Sequence, residues 1–545
     1  MTDLFLNLDL FRAINEYTDL RNLCDTCSFL SSSKQYINYK LNRQYSLIYY
    51  NDKLFRNMIL HKIFNPYKQL YLNLSYLGNT YDLDLRFSDI IINVSILNNV
   101  HTLNLSRCDN IYDLSALSNV HTLDLSRCSK ITDVSALFNV HTLNLSFCNK
   151  ITDVSALTNV HTLNLYGCYN ISNVNALGNV YDLDLSFCRK ITNISALGKV
   201  HKLDLSYCNK ITDVSALGNV YNLNLKNCDK ITNVSSLGKV HTLNLYGCNN
   251  ISNISFLSNV YKLNLSYCNN ISNVSSLGNV NTLILYACKN ITDVSALINV
   301  KYLNLSYCNN ITDVSALSNV HTLILSNCNK ITDVSLLGNV KNLDLSFCDN
   351  IRDVCALENV KNLDLSNCNN ITDVSLLGTD NKLNLSYCDN ITDVSKLGNV
   401  YELNLTRCNN ITDFSVLSNI RILNLSRCNI TDVSALSNVH TLNLSRCYNI
   451  TDVSALTNVH TLDLSFCNNI TDVSGLANVH ILNLTCCNRV TDVSALGNVY
   501  ILILLGCNKI SDVSKLGKLN TLDLSFCYKI TDFTALEKVK YLTLP

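Results

Sequence analysis

The residues with chemistry to offer are 26 cysteines and 11 histidines in a chain of 545 residues. Cysteine recurs every 20 residues, from Cys108 and Cys128 to Cys507 and Cys527, in 22 of 23 consecutive units, with Ser88 in its place in the first. Such a row of thiols could be a metal ladder, but metal sites need ligands that converge from different directions. A column of parallel side chains does not converge. A small apolar plug whose thiol donates weakly to a loop carbonyl fits the regularity better, so no metal site and no cofactor is expected. Cys355 and Cys486 stand outside the column, which makes Cys486-Cys487 a candidate oxidation-sensitive pair. Ten of the 11 histidines (His101, His121, His141, His161, His201, His241, His321, His440, His460 and His480) open a unit, a position that elsewhere carries Tyr, Lys, Asn or Arg. A catalytic or ligand role would not tolerate that exchange, and a solvated sheet edge does. No unit holds a lone Ser/His/Asp set, a paired carboxylate out of register, a Gly-rich phosphate loop or a metal-ligand spacing. The expected class is non-enzymatic.

These residues are positioned by a repeat. Units of 20 residues run from Tyr81 to Val539, one of them (421–439) with 19, followed by a partial unit, Lys540 to Pro545. The consensus is H-T-L-N-L-S-x-C-x-N-I-T-D-V-S-A-L-x-N-V. Positions 3, 5, 8, 11, 14, 17 and 20 are apolar, as in Leu123, Leu125, Cys128, Ile131, Val134, Leu137 and Val140. The opening L-x-L has period 2 and predicts a short strand. The remainder steps by threes, which predicts tight turns or 3-10 pieces and leaves no room for an α-helix. A unit this short cannot bury seven apolar side chains alone, whereas stacked units share one core. Asp or Asn at position 13, as in Asp133, Asn193 and Asp213, is expected to accept backbone N–H bonds in a turn.

The pattern resembles the leucine-rich repeat, whose signature L-x-x-L-x-L-x-x-N/C-x-L is matched by Val120, Leu123, Leu125, Cys128 and Ile131. The Cys with the following Ile131-Thr132-Asp133 is similar to the cysteine-containing subtype found in F-box proteins. The Ile-Thr-Asp-Val-Ser-Ala-Leu stretch is similar to the corresponding arc of bacterial internalin repeats. The resemblance implies an α/β leucine-rich repeat solenoid over 71–545. It would have one curved parallel β-sheet of 20-residue repeats, short turns or 3-10 pieces on the convex side, and a small helical N-terminal cap. A parallel β-helix is the competing fold.

Composition narrows the function. The chain has 2 Pro, 15 Gly and no Trp, where ordinary usage gives about 27 Pro and 38 Gly; a string of unrelated domains would need more punctuation. Lys+Arg and Asp+Glu are both 42, so the net charge is zero. That argues against a non-specific nucleic-acid or polybasic membrane binder. There is no apolar run of 18 residues to span a membrane. The opening MTDLFLNLDLFRAINEYTDL lacks the basic start and small-residue cleavage site of a secretory signal. The many Asn-Leu-Ser triplets would be glycan acceptors after export. A cytoplasmic protein with reduced thiols is expected.

Residues 1–70 fall outside the repeat. Leu20, Leu23, Cys24, Cys27 and Leu30 follow an amphipathic helical spacing. Cys24-Asp25-Thr26-Cys27 has no second pair nearby and reads as core packing. The string from Ile14 to Leu30 resembles an F-box, the module that docks on the Skp adaptor of a cullin-type ubiquitin ligase. That likeness gives Leu20, Leu23 and Leu30 as adaptor-binding residues. The usual Leu-Pro at the start and Trp near the end are absent, and Leu8-Asp9 stands near the first. A plain helical cap that shields the first repeat is the alternative, compatible with the F-box. The whole arrangement is similar to the leucine-rich repeat proteins of giant DNA viruses of amoebae, which would place it in host-cell cytoplasm.

The expected function is protein binding on the concave sheet. The alternatives are a ubiquitin-ligase substrate receptor and a structural or decoy solenoid. Position 4 is Asn or Asp in 20 of 23 units, too uniform to carry specificity. Where position 7 is Gly or Ala, bulk moves to position 6 (Tyr166-Gly167, Tyr246-Gly247, Tyr286-Ala287, Leu505-Gly506), so one space is shared. Two clusters depart from this pattern: a basic one of Arg407, Arg421, Arg427 and Arg446, and an aliphatic one of Ile481, Ile501, Ile503 and Leu505. Together they suit a partner segment with acidic and hydrophobic residues.

Overall fold

Two leucines separated by one outward residue dictate a strand that buries one face, and each repeat begins with such a strand. The computed structural model describes residues 82–87, 91–98, 100–378 and 382–545. It contains two compact units, one ending at Ile211 and the other running from Thr212 to Pro545. In the first, seven three-residue strands, β1 (Asp82–Asp84) to β7 (Lys202–Asp204), pair in parallel. In the second, seventeen, β8 (Asn222–Asn224) to β24 (Tyr541–Thr543), do the same. Outside the 19-residue unit each strand residue pairs with the one 20 positions on, so Leu103 meets Leu123 and Leu263 meets Leu283. Identical side chains therefore stack into columns.

The seven apolar positions are all interior. In the unit 121–140 none of the seven exceeds 2% exposure. The strand ends in a four-residue turn. The Cys128 N–H donates to the Leu125 carbonyl at 3.2 Å, and the turn's third residue, Arg127, has φ 63°. A positive φ at that place defines a type II turn. Twenty residues other than glycine hold this left-handed conformation, all at position 7; Gly167, Gly247 and Gly506 hold it in three further units. The Asn or Asp of position 4 secures the turn: Asp124 Oδ1 accepts the Ser126 N–H at 2.8 Å. The uniformity of position 4 is thus structural.

The return is made of 3-10 turns such as Ser135–Leu137, closed by Leu137 N–H to the Val134 carbonyl at 3.0 Å. No α-helix occurs among the described residues. One short strand per repeat with a 3-10 return is the leucine-rich repeat arrangement and excludes the parallel β-helix. In the 19-residue unit 421–439 the missing residue is taken from the turn alone. Cys428 and Ile430 stay buried, and Leu423 pairs with Leu442 in unbroken register. The region 1–70, with Leu20, Leu23, Leu30, Cys24 and Cys27, lies outside the described residues. So does Thr379-Asp380, which replaces the usual Asn-Val.

Candidate functional site

Three columns of side chains run along the repeats. The cysteine column is internal. Cys128 Sγ donates to the Leu105 carbonyl at 3.2 Å and Cys148 Sγ to Leu125 at 3.2 Å; the same bond recurs to Cys527 on Leu504 at 3.0 Å. Each accepting carbonyl already closes its own turn, so the thiol adds a second bond and ties one repeat to the next. Burial pushes the Cys128, Cys148, Cys168 and Cys188 thiols up to about 12 from 9.0. These are inert structural thiols, the plug expected from spacing. All 22 column cysteines are buried, whereas Cys355 and Cys486 are half-buried. Among the described residues no group of three or more His, Cys, Asp or Glu side chains could hold a metal ion.

The histidine column lies just before the strands. His101, His121, His141 and His161 stack with ring centroids 4.6 Å apart and planes within 12°. Tyr181 and His201 continue the stack. In the second unit His440, His460, His480 and Tyr500 form another. Where the next residue is Thr, the imidazole Nδ1 sits beside its hydroxyl, as His141 does with Thr142 at 3.3 Å. Packing against its neighbours, and the charge that His121 and His161 would carry, holds His141 below the usual 6.5. The edge is solvated, as expected, but ordered by ring stacking that residue exchange along the chain did not reveal.

The third column follows the strands, at the left-handed corner. Phe147, Tyr166 and Phe187 meet there at 4.8 and 5.3 Å, although they come from positions 7, 6 and 7. The shared space is real, and Gly167 makes room: a Cβ on it would stand 3.0 Å from the Phe147 ring. In the second unit Tyr246, Tyr267, Tyr286 and Tyr307 continue the pattern at 5.1–5.4 Å.

Arg407, Arg427 and Arg446 occupy three successive places in this corner column. Arg407 lies over the Tyr387 ring at 5.5 Å and Arg446 over Phe466 at 4.6 Å. Arg421 is not with them. It precedes its strand, β18 (Ile422–Asn424), in the histidine column, so it stands at the opposite strand end and the expected four-arginine patch contains three. The aliphatic group does come together. Ile481 pairs with Ile501 across adjacent strands, β21 (Ile481–Asn483) and β22 (Ile501–Ile503). Ile503 and Leu505 follow on the same outward face, and all four are half-exposed. Sequence reasoning passed over two isoleucines of the same kind, Ile284 and Ile324. Their signal was available, because they and Ile503 are the three departures from Asn or Asp at position 4.

On the turn side, Asp at position 13 accepts the backbone N–H two residues on, as Asp133 does from Ser135 at 2.8 Å. These bonds hold its carboxyl below 3.8. The shallow depressions of the second unit lie there, between Asp313, Asp333 and Asp353, away from the strands.

Four segments, 136–158, 296–318, 416–437 and 455–477, match the leucine-rich repeat family model. The crystal structure of a TLR13–ssRNA13 complex contains a chain similar to this one with a TM-score of 0.52 and 19% identity, over 86% of this chain and 84% of that one. The functional domain of InlJ from Listeria monocytogenes, described as including a cysteine ladder, gives a TM-score of 0.35 at 19% identity over 71% and 74% of the two chains. Internalin C2 from the same organism gives 0.23 at 27% identity over 31% of this chain and 78% of that one. No curated protein matches the sequence. The fold is a leucine-rich repeat solenoid, a fold that commonly mediates protein–protein interaction. No helix among the described residues is long and apolar enough to cross a membrane.

Proposed function

We propose that this protein is a non-enzymatic scaffold that captures a protein partner on the outward face of its sheet, toward the C-terminal third. The observation that carries this is the aliphatic group Ile481, Ile501, Ile503 and Leu505, adjacent on strands whose outward positions are otherwise mainly polar. Half-exposed apolar groups gathered in one place usually mark binding. Arg407, Arg427 and Arg446 support the same reading. These three cationic side chains hold successive corner positions, and carboxylates of an acidic partner segment would pair with them. The test is cross-linking with mass spectrometry on the full chain, comparing wild type with Ile503→Asn/Leu505→Ser. Both replacements are consensus residues at those positions, so the fold survives them. Partners lost in the variant support the site; the same partners at the same yield remove it.

A second reading rests on the N-terminal string. Leu20, Leu23 and Leu30 would dock the Skp adaptor, and the sheet would select the target for a ubiquitin ligase in the cytoplasm. Retention of purified adaptor by the full chain, lost on Leu20→Ala/Leu23→Ala, tests it; no retention ends it.

A further inference from the structure

The second unit carries another break in its repeat, and it coincides with a change of charge. From Lys230 to Thr292 there is no acidic residue and there are four lysines. The chain average of 42 acidic residues in 545 would place about five in that stretch. The outward side chains of the strands here are Asn, Thr, Tyr, Ser, Ile and Lys, from β8 through β13 (Thr322–Ile324), and Asp344 is the first carboxylate beyond them. Lys262 is exposed on this face, Lys301 is exposed at its edge in the histidine column, just before β12 (Tyr302–Asn304), and the Lys226 ammonium lies over the Tyr246 ring at 4.5 Å.

The same strands hold Ile284 and Ile324 at position 4. At that position Asn or Asp accepts the N–H of position 6, as Asn304 does from Ser306 at 2.9 Å. Isoleucine cannot accept it, so two units of this stretch forgo a turn bond. In exchange, Ile284, Ile324 and Tyr302 stand half-exposed beside the Tyr246–Tyr267–Tyr286–Tyr307 row.

We infer that the outward face from β9 (Thr242–Asn244) to β13 binds an extended acidic polypeptide segment of a partner, with aliphatic or aromatic side chains between its carboxylates. The inference rests on the reading that the sheet face binds protein. The apolar side chains would lie on Ile284, Ile324 and the tyrosines, and the carboxylates on Lys262 and Lys301. Five strands at about 4.8 Å spacing span roughly 19 Å, the length of about six extended residues. A single-stranded nucleic acid, also anionic, fits less well. Successive tyrosine rings are tilted by 54–57° to one another at 5.1–5.4 Å, so they do not form the parallel platforms on which successive bases stack.

The test is panning of a random 12-residue phage-displayed peptide library on the full-length protein. Affinities of recovered peptides are then measured by fluorescence polarisation against wild type, Ile284→Asn/Ile324→Asn, Lys262→Thr and Ile503→Asn/Leu505→Ser. Asparagine restores the consensus turn bond, so the first variant is expected to melt no lower than wild type. Peptides rich in Asp or Glu interspersed with Leu, Ile, Phe or Tyr are expected. Binding should weaken at least tenfold in the double isoleucine variant and several-fold in Lys262→Thr. Peptides that depend on Ile503 and Leu505 alone would overturn this inference and leave the proposed function standing. Recovery of no peptide would overturn both. A labelled 12-nucleotide RNA of mixed sequence that binds wild type and is lost in Ile284→Asn/Ile324→Asn would overturn the assignment of an acidic peptide.

Discussion

Raising the pH should melt this protein through its cysteine column. Burial moves the Cys128, Cys148, Cys168, Cys188, Cys248, Cys268, Cys308 and Cys328 thiols up to about 12. Unfolding returns each to its ordinary value of 9.0. Between those values the folded chain holds more protons than the unfolded one. The stability from each thiol is therefore complete below pH 9 and is lost as pH rises toward 12. For one such thiol the loss is about 1.4 kcal/mol at pH 10 and about 2.7 kcal/mol at pH 11. A 20-residue repeat's share of net stability is roughly 1–3 kcal/mol. Nearly every repeat carries its own cysteine, so a longer array gains nothing, and the loss overtakes the share between about pH 10 and 11. The assay is far-UV circular dichroism against pH at fixed ionic strength, chosen because phenol ionisation disturbs the near-UV. A cooperative transition in that window is expected, reversible under reductant. A spectrum unchanged to pH 11.5 would refute the reasoning.

A thiol-reactive dye at pH 8 should label Cys355 and Cys486 ahead of the column among the described cysteines, because those two are half-buried whereas the column thiols are buried and Cys128, for one, is pushed up to about 12; rapid labelling of most of the column would contradict its burial. Ala287→Gly should stabilise the protein by roughly 1 kcal/mol, because Ala287 is left-handed at φ 58°; urea unfolding and amide exchange over 281–290 read the gain. Gly506→Ala should do the reverse, since a Cβ there stands 3.0 Å from Cys486 Sγ at φ +70°. In an NMR titration His141 should protonate below pH 6.5, and His121→Asn/His161→Asn should raise its midpoint. The depressed value means this stack favours folding above pH 6.5 and loses that contribution as pH falls through the folded midpoint.

What the sequence displays is whatever repeats with an apolar signature. Leu123, Leu125, Cys128 and Ile131 announced strand, core and turn because burial imposes the same residue type every 20 positions. The left-handed corner was hidden for the opposite reason. Phe, Tyr and Arg, which fill most of it, are poor residues for a positive φ, and the traces are few: Gly167, Gly247 and Gly506, with Asn227, Asn327 and Asn367. Proximity by repeat number also misled. Arg421 and Arg427 are six residues apart in one unit, yet a strand separates them, so Arg427 joins Arg407 and Arg446 while Arg421 joins the histidine column. The stacked imidazoles were invisible for a related reason: stacking needs only flat rings in register, and Tyr181 serves as well as a histidine.

A site in such an array is best sought where the repeat breaks a rule that its own stability enforces. Variation at position 1 or 7 is weak evidence, because rings, guanidinium groups and small residues all satisfy those columns. Position 4 is different. Its Asn or Asp closes the turn, as Asp124 and Asn304 do, and a lost bond there forgoes on the order of 1 kcal/mol. Three units forgo it, with Ile284, Ile324 and Ile503. Random drift would scatter such losses among surroundings of every kind. Instead two lie two repeats apart beside the tyrosine row, on strands whose outward side chains carry no carboxylate. The third lies beside Ile481, Ile501 and Leu505. Each substitution also puts an aliphatic side chain on the face that the fold leaves open. Loss of a structural bond together with gain of exposed apolar surface, in the same neighbourhoods, is the pattern on which both proposed binding sites rest.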